Sequence, residues 1–306
     1  MSLFRSGMIA VAQNRLVSRV VTQNGVSKGF ALRFIAGETL DDAMSVASDL
    51  NHRGLKVTLD KLGENVRRET AAEDAAASYI AMLDRIAAAG VESTISIKLT
   101  MLGLDLSDEL CRQHTVAVLD RARTHGIFVR IDMEGSPYTQ RTLDLAYALL
   151  PDYPQTVGIV LQSYLYRTDR DVREAVARGI RVRLVKGAYA EPPTIAYQSK
   201  ADVDAAYRRQ VERLLEGGNY PAIATHDPEI VEFTERHAAH EGIDRSRFEF
   251  QLLYGIRRDL QERLVQEGYN VRVYVPFGSQ WYPYFVRRMA ERPANLLFVA
   301  RNVLRP

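Results

Sequence analysis

From residue 55 onward, short runs rich in Val, Ile, Phe and Tyr alternate with longer segments whose apolar residues recur at helical spacing among Ala and charged side chains. The runs are Leu55–Asp60 (LKVTLD), Thr94–Thr100 (TISIKLT), Ile127–Glu134 (IFVRIDME), Val157–Tyr164 (VGIVLQSY), Ile180–Tyr189 (IRVRLVKGAY), Ala222–His226 (AIATH), Arg247–Leu253 (RFEFQLL) and Val271–Pro276 (VRVYVP). Each has the composition and the length, about 5–10 residues, of a strand. Between them Glu69–Ala89, Leu110–His125, Gln140–Leu149, Asp169–Arg178, Asp202–Leu215 and Pro228–His240 are long enough for helices. Crossovers of that length imply a parallel sheet. About eight such units predict a closed α/β barrel more than an open doubly wound sheet, which is the alternative if the strand count is off by one or two.

Residues 1–50 lack the strand pattern and are expected to form a helical cap or arm, with the barrel over 51–306 and a single domain overall. The opening segment MSLFRSGMIAVAQNRLVSRVV has apolar residues at near-helical spacing and no signal-cleavage pattern. It reads as a helix of the mature protein that packs on the main body, with docking on a membrane surface as the lesser alternative. No apolar stretch approaches the roughly 18 residues that a spanning helix needs.

Composition narrows the class without choosing the chemistry. Charged residues make up 25% of the chain and the formal net charge is +2, so the basic footprint of a general nucleic-acid binder is missing. Cys111 is the only cysteine; it forbids an intrachain disulfide, favours a cytoplasmic location and reads as a packing residue of a helix. No phosphate loop or dinucleotide glycine fingerprint follows the first strand, so a nucleotide cofactor would need another kind of site. His237 and His240 lie three apart on a predicted helix, which without further ligand spacing suits a solvated face better than a metal.

The informative polar residues gather at the C-terminal ends of the strands, where barrels carry their functional groups. Lys98 follows Ile95 and Ile97; Asp132 and Glu134 share parity with Arg130; Gln162 ends the fourth run; Arg183 is followed by Lys186; Thr225-His226 ends the sixth; Gln251 and Tyr274 sit on the seventh and eighth. A buried charge without a partner costs several kcal/mol, so these groups need each other or a ligand. Ion pairs filling the barrel, such as Lys98 with Asp132, would explain any one of them. The whole set at one end favours a site. Lys98 could form a Schiff base, but Asp132 nearby would keep its ammonium charged and better suited to a carboxylate. Near the C-terminus, Arg287-Arg288 follows the aromatic run Trp281-Tyr282-Pro283-Tyr284-Phe285. Two guanidiniums side by side on one helix can grip a single carboxylate, which suggests a small anionic substrate.

The segments RIDMEG (Arg130–Gly135), LVKGAY (Leu184–Tyr189), ATHDP (Ala224–Pro228), FEFQLLYGI (Phe248–Ile256), VRVYVPFG (Val271–Gly278) and WYPYFVRRMAERPAN (Trp281–Asn295) resemble proline dehydrogenase in unbroken order, from about residue 30 to residue 302. More narrowly the chain is similar to the short monofunctional bacterial enzymes, since 306 residues leave no room for a second catalytic or DNA-binding domain. The resemblance implies a distorted (βα)8 barrel with a final helix over its mouth. It also implies FAD as cofactor and oxidation of L-proline to Δ1-pyrroline-5-carboxylate by hydride transfer, the first step of proline catabolism. Electrons would pass to a quinone, with loose contact to the cytoplasmic face of a membrane, functional coupling to a pyrroline-5-carboxylate dehydrogenase, and no nucleic-acid partner.

Carried onto this sequence, the resemblance gives Lys98, Arg287 and Arg288 the substrate carboxylate, sets Tyr274 on the pyrrolidine ring with Tyr189 walling the pocket, and puts Asp132 in the polar network beneath. The flavin would be held by Arg183 beside its N5 edge, by Gln162, Lys186, Gly187, Ala188, Thr225 and His226, by backbone near Met133, and by Glu291 of the final helix. The chemistry agrees: transfer to N5 needs the reacting atoms within about 3–3.5 Å, so a carboxylate clamp is chiefly a positioning device. A guanidinium near N5 would stabilise the negative charge of a reduced flavin. Asp132 would either accept the substrate's ammonium proton or serve only to fix Tyr274, Lys98 or Arg288. One departure stands out. Longer family members follow the tyrosine of the flavin loop with tryptophan and an acidic residue, whereas Ala190-Glu191-Pro192 stands here, which implies a looser hold on the adenosine portion and acceptance of FMN.

Overall fold

In each strand one set of alternate residues is apolar and the other largely polar, and closing the sheet sends the two sets to opposite sides. The computed structural model describes residues 32–63 and 65–284. Its elements are Leu40–His52 (α1), Lys56–Lys61 (β1), Glu69–Ala89 (α2), Ser93–Ile97 (β2), Asp108–His125 (α3), Val129–Ile131 (β3), Ser136–Leu149 (α4), Val157–Gln162 (β4), Thr168–Arg178 (α5), Arg181–Val185 (β5), Lys200–Gly217 (α6), Ala222–Ala224 (β6), Pro228–His240 (α7), Glu249–Leu253 (β7), Arg258–Gln266 (α8) and Asn270–Phe277 (β8). Each strand pairs in parallel with the next, and β8 pairs with β1 to close the barrel. The open sheet is thereby excluded.

The apolar set faces the helices. Val57, Leu59, Ile95, Ile97, Val129, Ile131, Leu184 and Val273 are fully buried in one core cluster with Tyr79, Leu83 and Leu119 of the surrounding helices. Fully burying a side chain of this kind contributes roughly 1.5–3 kcal/mol. Cys111 belongs to that core, where burial pushes its thiol up to about 12. The polar set fills the interior, where Thr58 meets Thr94 (Oγ1–Oγ1 2.8 Å) and Arg272 pairs with Glu249 (2.9 Å).

The strands stop earlier at the mouth than their sequence pattern. The run Ile127–Glu134 shortens to Val129–Ile131, and Ile180–Tyr189 shortens to Arg181–Val185. Beyond those points Asp132 and Lys186 are held by side-chain ion pairs as well as by single backbone hydrogen bonds, from the Asp132 N–H to the Ile97 carbonyl (2.9 Å) and from the Tyr164 N–H to the Lys186 carbonyl (2.9 Å). Helix α8, nine residues long, was not singled out by the pattern.

Helix α1 begins at a capping box in which the Thr39 hydroxyl accepts from the Asp42 N–H (3.1 Å) and Asp42 accepts from the Thr39 N–H (3.0 Å). It packs outside β8 and β1, the slot that a helix following the eighth strand fills in a regular barrel. The chain after β8 turns elsewhere: Trp281 and Tyr284 are buried, and Gln280, Pro283 and Tyr284 line the cavity at the mouth. The first 31 residues of the expected arm lie outside the described residues.

Candidate active site

Inward-facing residues at the C-terminal ends of β1, β2, β5 and β8, with Asp132 just after β3, converge on one buried network. The Lys98 ammonium lies 2.5 Å from Asp60 Oδ1 and 3.5 Å from Asp132 Oδ2. Asp132 also accepts from Arg183 Nη1 (2.8 Å) and from the Tyr274 hydroxyl (2.7 Å). Arg183 is held at its other end, where Nε donates to Gln251 Oε1 (2.5 Å), and its guanidinium sits 5.0 Å from the centre of the Tyr274 ring. Two carboxylates face two cations. Removing either sign would leave a buried charge uncompensated.

The protonation pattern follows from these partners. Burial opposes ionisation of Asp132, but Lys98, Arg183 and the Tyr274 hydroxyl outweigh it and hold the group below the usual carboxylate value. Asp60 is raised, because burial and the neighbouring Asp132 outweigh the attraction of Lys98. Burial would deprotonate Lys98, yet Asp60 and Asp132 carry its ammonium well above the ordinary lysine value. A lysine held this firmly in the charged form is no Schiff-base nucleophile. The expected Lys98–Asp132 pair is therefore the longer of two contacts, with Asp60 the nearer partner.

Across the mouth, the segments after β4, β5 and β6 build a second wall. Gln162 Nε2 donates to the Glu134 carbonyl (3.0 Å), and the Glu134 carboxylate accepts from the Thr100 hydroxyl (2.6 Å). Lys186 bridges Asp204 (2.5 Å) and Asp227 (2.7 Å), and Lys200 contacts the same two carboxylates. His226 Nε2 accepts from the Leu253 N–H (2.9 Å). Glu191 reaches across to α4, accepting from the Ser136 N–H (2.7 Å) and hydroxyl (2.6 Å), so the loop after β5 caps that helix.

A cavity of about 790 Å³ joins the two walls, within the range of pockets that hold whole cofactors. Lys98, Asp132, Tyr189 and Tyr274, expected around the substrate, line it, as do Met133, Gln162, Arg183, Lys186, Gly187, Ala188, Thr225 and His226, expected around the cofactor. Arg287, Arg288 and Glu291 lie outside the described residues. Sequence reasoning missed Asp60, Lys200 and Asp227, which line the same cavity. The parity of Asp60 with Thr58 at the end of a strand was the signal for it; Lys200 and Asp227 carried none that a capping reading would not explain.

The wall suits a flavin. Val160, Ala224, Gly187 and Ala188 present little side chain to the cavity, leaving room for a flat ring system. Gln162, Arg183 and Lys186 bring donors to its edge, as the carbonyl and ring-nitrogen acceptors of such a ring require.

Comparison with known proteins agrees with this geometry. The family model described as proline dehydrogenase matches residues 43–301. The chain is 39% identical over 303 residues to proline dehydrogenase 1 of Bacillus subtilis, covering 99% of this chain and 100% of that protein. It is also 39% identical over 307 residues to the proline dehydrogenase of Deinococcus radiodurans, covering 99% and 98%. Among solved structures, proline utilization A (PutA) of Bdellovibrio bacteriovorus, inactivated by N-propargylglycine, superposes with a TM-score of 0.82 at 28% identity over 88% of this chain. The match spans 33% of that longer protein.

Proposed function

The chain belongs to the proline dehydrogenase family and oxidises L-proline in proline catabolism, and we propose that the barrel mouth binds the substrate beside an FAD. The observation that carries this reading is the convergence of Lys98, Asp132, Arg183 and Tyr274 in one buried network that opens on a cavity of about 790 Å³. When bound, the flavin accepts the electron pair and hydrogen released from the ring carbon next to nitrogen.

The protein's own residues position and insulate. Lys98, with Arg287 and Arg288 as the family resemblance assigns them, binds the proline carboxylate; Tyr274 packs on the pyrrolidine ring and Tyr189 closes its side. Arg183, immobilised by Gln251 and Asp132, would stabilise the negative charge that a bound flavin takes on when reduced. Gln162, the Lys186-Gly187-Ala188 loop, Thr225, His226, Glu291 and backbone near Met133 hold the cofactor. Asp132 is a fixed anion in this scheme. With its carboxylate held below the ordinary range and both oxygens accepting, it orients Arg183 and Tyr274 and is a poor acceptor for the substrate's proton.

A bound flavin would pass its electrons to a quinone during loose contact with the cytoplasmic face of a membrane, and the product would pass to a pyrroline-5-carboxylate dehydrogenase. No described helix is long and apolar enough to cross a membrane. The decisive measurement is the absorbance of purified protein: a yellow flavin spectrum that bleaches on L-proline and recovers on adding a soluble quinone is expected. Colourless protein that is unmoved by added FAD and proline would refute the reading. Parallel titrations with FAD and FMN decide the cofactor, with tighter binding of FAD expected.

A further inference from the structure

We propose that Asp60 is a positioning residue for the substrate: it grips the Lys98 ammonium from the β1 side and aims it at the proline carboxylate. The inference rests on the reading that Lys98 binds that carboxylate. Lys98 is held at both ends. Its backbone N–H donates to the Tyr79 hydroxyl (3.3 Å), and its ammonium donates to Asp60 Oδ1 (2.5 Å). An ammonium has three N–H groups. One goes to Asp60 and one points toward Asp132 at 3.5 Å, which leaves one for the cavity that Lys98 lines.

Asp132 cannot take over this task. Its Oδ1 accepts from Arg183 and its Oδ2 from Tyr274, so its charge is already shared when Lys98 approaches. Asp60 is almost completely buried and stands next to Lys98 at the end of β1. Asp60 is the largest of the charges that offset the burial of Lys98, so without it the ammonium is held less firmly against loss of its proton.

The groups that face Lys98 are Asp60 from β1, Asp132 after β3, Tyr274 from β8 and Tyr79 from α2. Burial raises both tyrosines above their ordinary value, and Asp132 is held low. With Asp60 neutral, Lys98 is then the group among these whose charge becomes most sensitive to alkaline pH.

The test measures KM and kcat for proline against pH in Asp60→Asn, with flavin content and circular dichroism confirming a folded protein. Asp60→Ser takes its place if the first variant does not accumulate. The variant-to-parent ratio of KM is expected to rise about tenfold per pH unit on the alkaline side, while kcat changes only severalfold. Asp60→Glu, which keeps the charge, should flatten the ratio. So should the double variant Asp60→Asn/Lys98→Arg, because a guanidinium does not titrate in this range. A flat ratio in Asp60→Asn, or an alkaline rise that survives Lys98→Arg, overturns the proposal. Lys98→Met separates the two layers: an unchanged KM there refutes the carboxylate reading itself, whatever Asp60 does.

Discussion

Gly187 sits in the loop after β5 with φ +122°, a backbone conformation that a side chain strongly disfavours. A β-carbon added there would lie 2.3 Å from Tyr164 Cδ1 and 2.4 Å from Cε1. The ring cannot simply swing aside. The Tyr164 N–H donates to the Lys186 carbonyl (2.9 Å), and its carbonyl accepts from the Tyr197 N–H (2.8 Å), so the backbone that carries the ring is tied to the very loop that would have to move. Gly187→Ala therefore combines backbone strain of about 1–3 kcal/mol with overpacking of about 1–3 kcal/mol. The strain is relieved by displacing Lys186 to Ala188, and that displacement spoils the proposed cofactor wall.

Flavin affinity measures this directly, since the bound form must restore the strained loop. At the lower end, a cost of about 2 kcal/mol weakens binding roughly 30-fold. Titration of flavin-free protein with FAD, followed by quenching of flavin fluorescence, gives the dissociation constant, and thermal unfolding of the same preparation gives the stability. Ala188→Gly, one residue along, adds no atoms and should stay close to the parent. If Gly187→Ala binds FAD within about threefold of the parent with the same melting temperature, the close approach of Gly187 to Tyr164 does not constrain the loop.

Three further outcomes follow from the same contacts. Asp132→Asn strips the shared anion from Lys98, Arg183 and Tyr274; breaking a buried pair costs about 3–5 kcal/mol, so a lower melting temperature and a loss of kcat/KM beyond a hundredfold are expected by calorimetry and steady-state assay. Gly158→Ala, at the opposite end of the barrel, would bring a β-carbon to 2.5 Å from Phe128 Cζ and 2.7 Å from Arg130 Nη1; it should lower the melting temperature while the folded fraction keeps the parent KM for proline. Asp227 is held down to about 2, since Lys186 and Lys200 outweigh its burial, and Asp204 is lowered by the same pair. A depressed folded-state value means that the stabilisation is complete above the unfolded value of about 3.9 and is lost as pH falls through the folded one. Retention of flavin against pH should therefore decline below about pH 4, and Asp227→Asn should move that midpoint; equal midpoints would show that the cluster does not hold the loop.

The barrel was legible because alternation and amphipathic spacing are local signals. Glu69–Ala89 and Pro228–His240 match their helices end to end: Gly90 takes a left-handed conformation just after the first, and Asp227 caps the second with Pro228 at its first turn. The sequence pattern overruns the strand ends because alternation continues through Asp132–Glu134 and Lys186–Tyr189, where the ladder thins to single backbone hydrogen bonds and side-chain ion pairs take up Asp132 and Lys186. Asp60 shows locally only its parity with Thr58 at a strand end; its contact with Lys98 spans 38 positions and has no local signature. Nor could local pattern reveal that α1 occupies the β8–β1 slot, since that depends on where two distant segments pack.

The polar interior connects the barrel's base to its mouth. Most such barrels are filled by branched apolar side chains, but here Arg272 pairs with Glu249, Glu249 accepts from Gln251, Gln251 accepts from Arg183, and Arg183 donates to Asp132 beneath the proposed substrate. A long, flexible arginine held at both ends keeps little rotamer freedom, so its guanidinium is set before any ligand arrives, and preorganised charge is worth most where charge develops during reaction. The same connection makes stability and catalysis inseparable along this line. Glu249→Gln, roughly isosteric and lying outside the cavity, removes the charge that anchors Arg272 and leaves one acceptor oxygen where Arg272 and Gln251 together use two. Its effect should therefore reach Arg183 and appear in kcat as well as in the melting temperature, whereas a purely local role would lower the melting temperature alone.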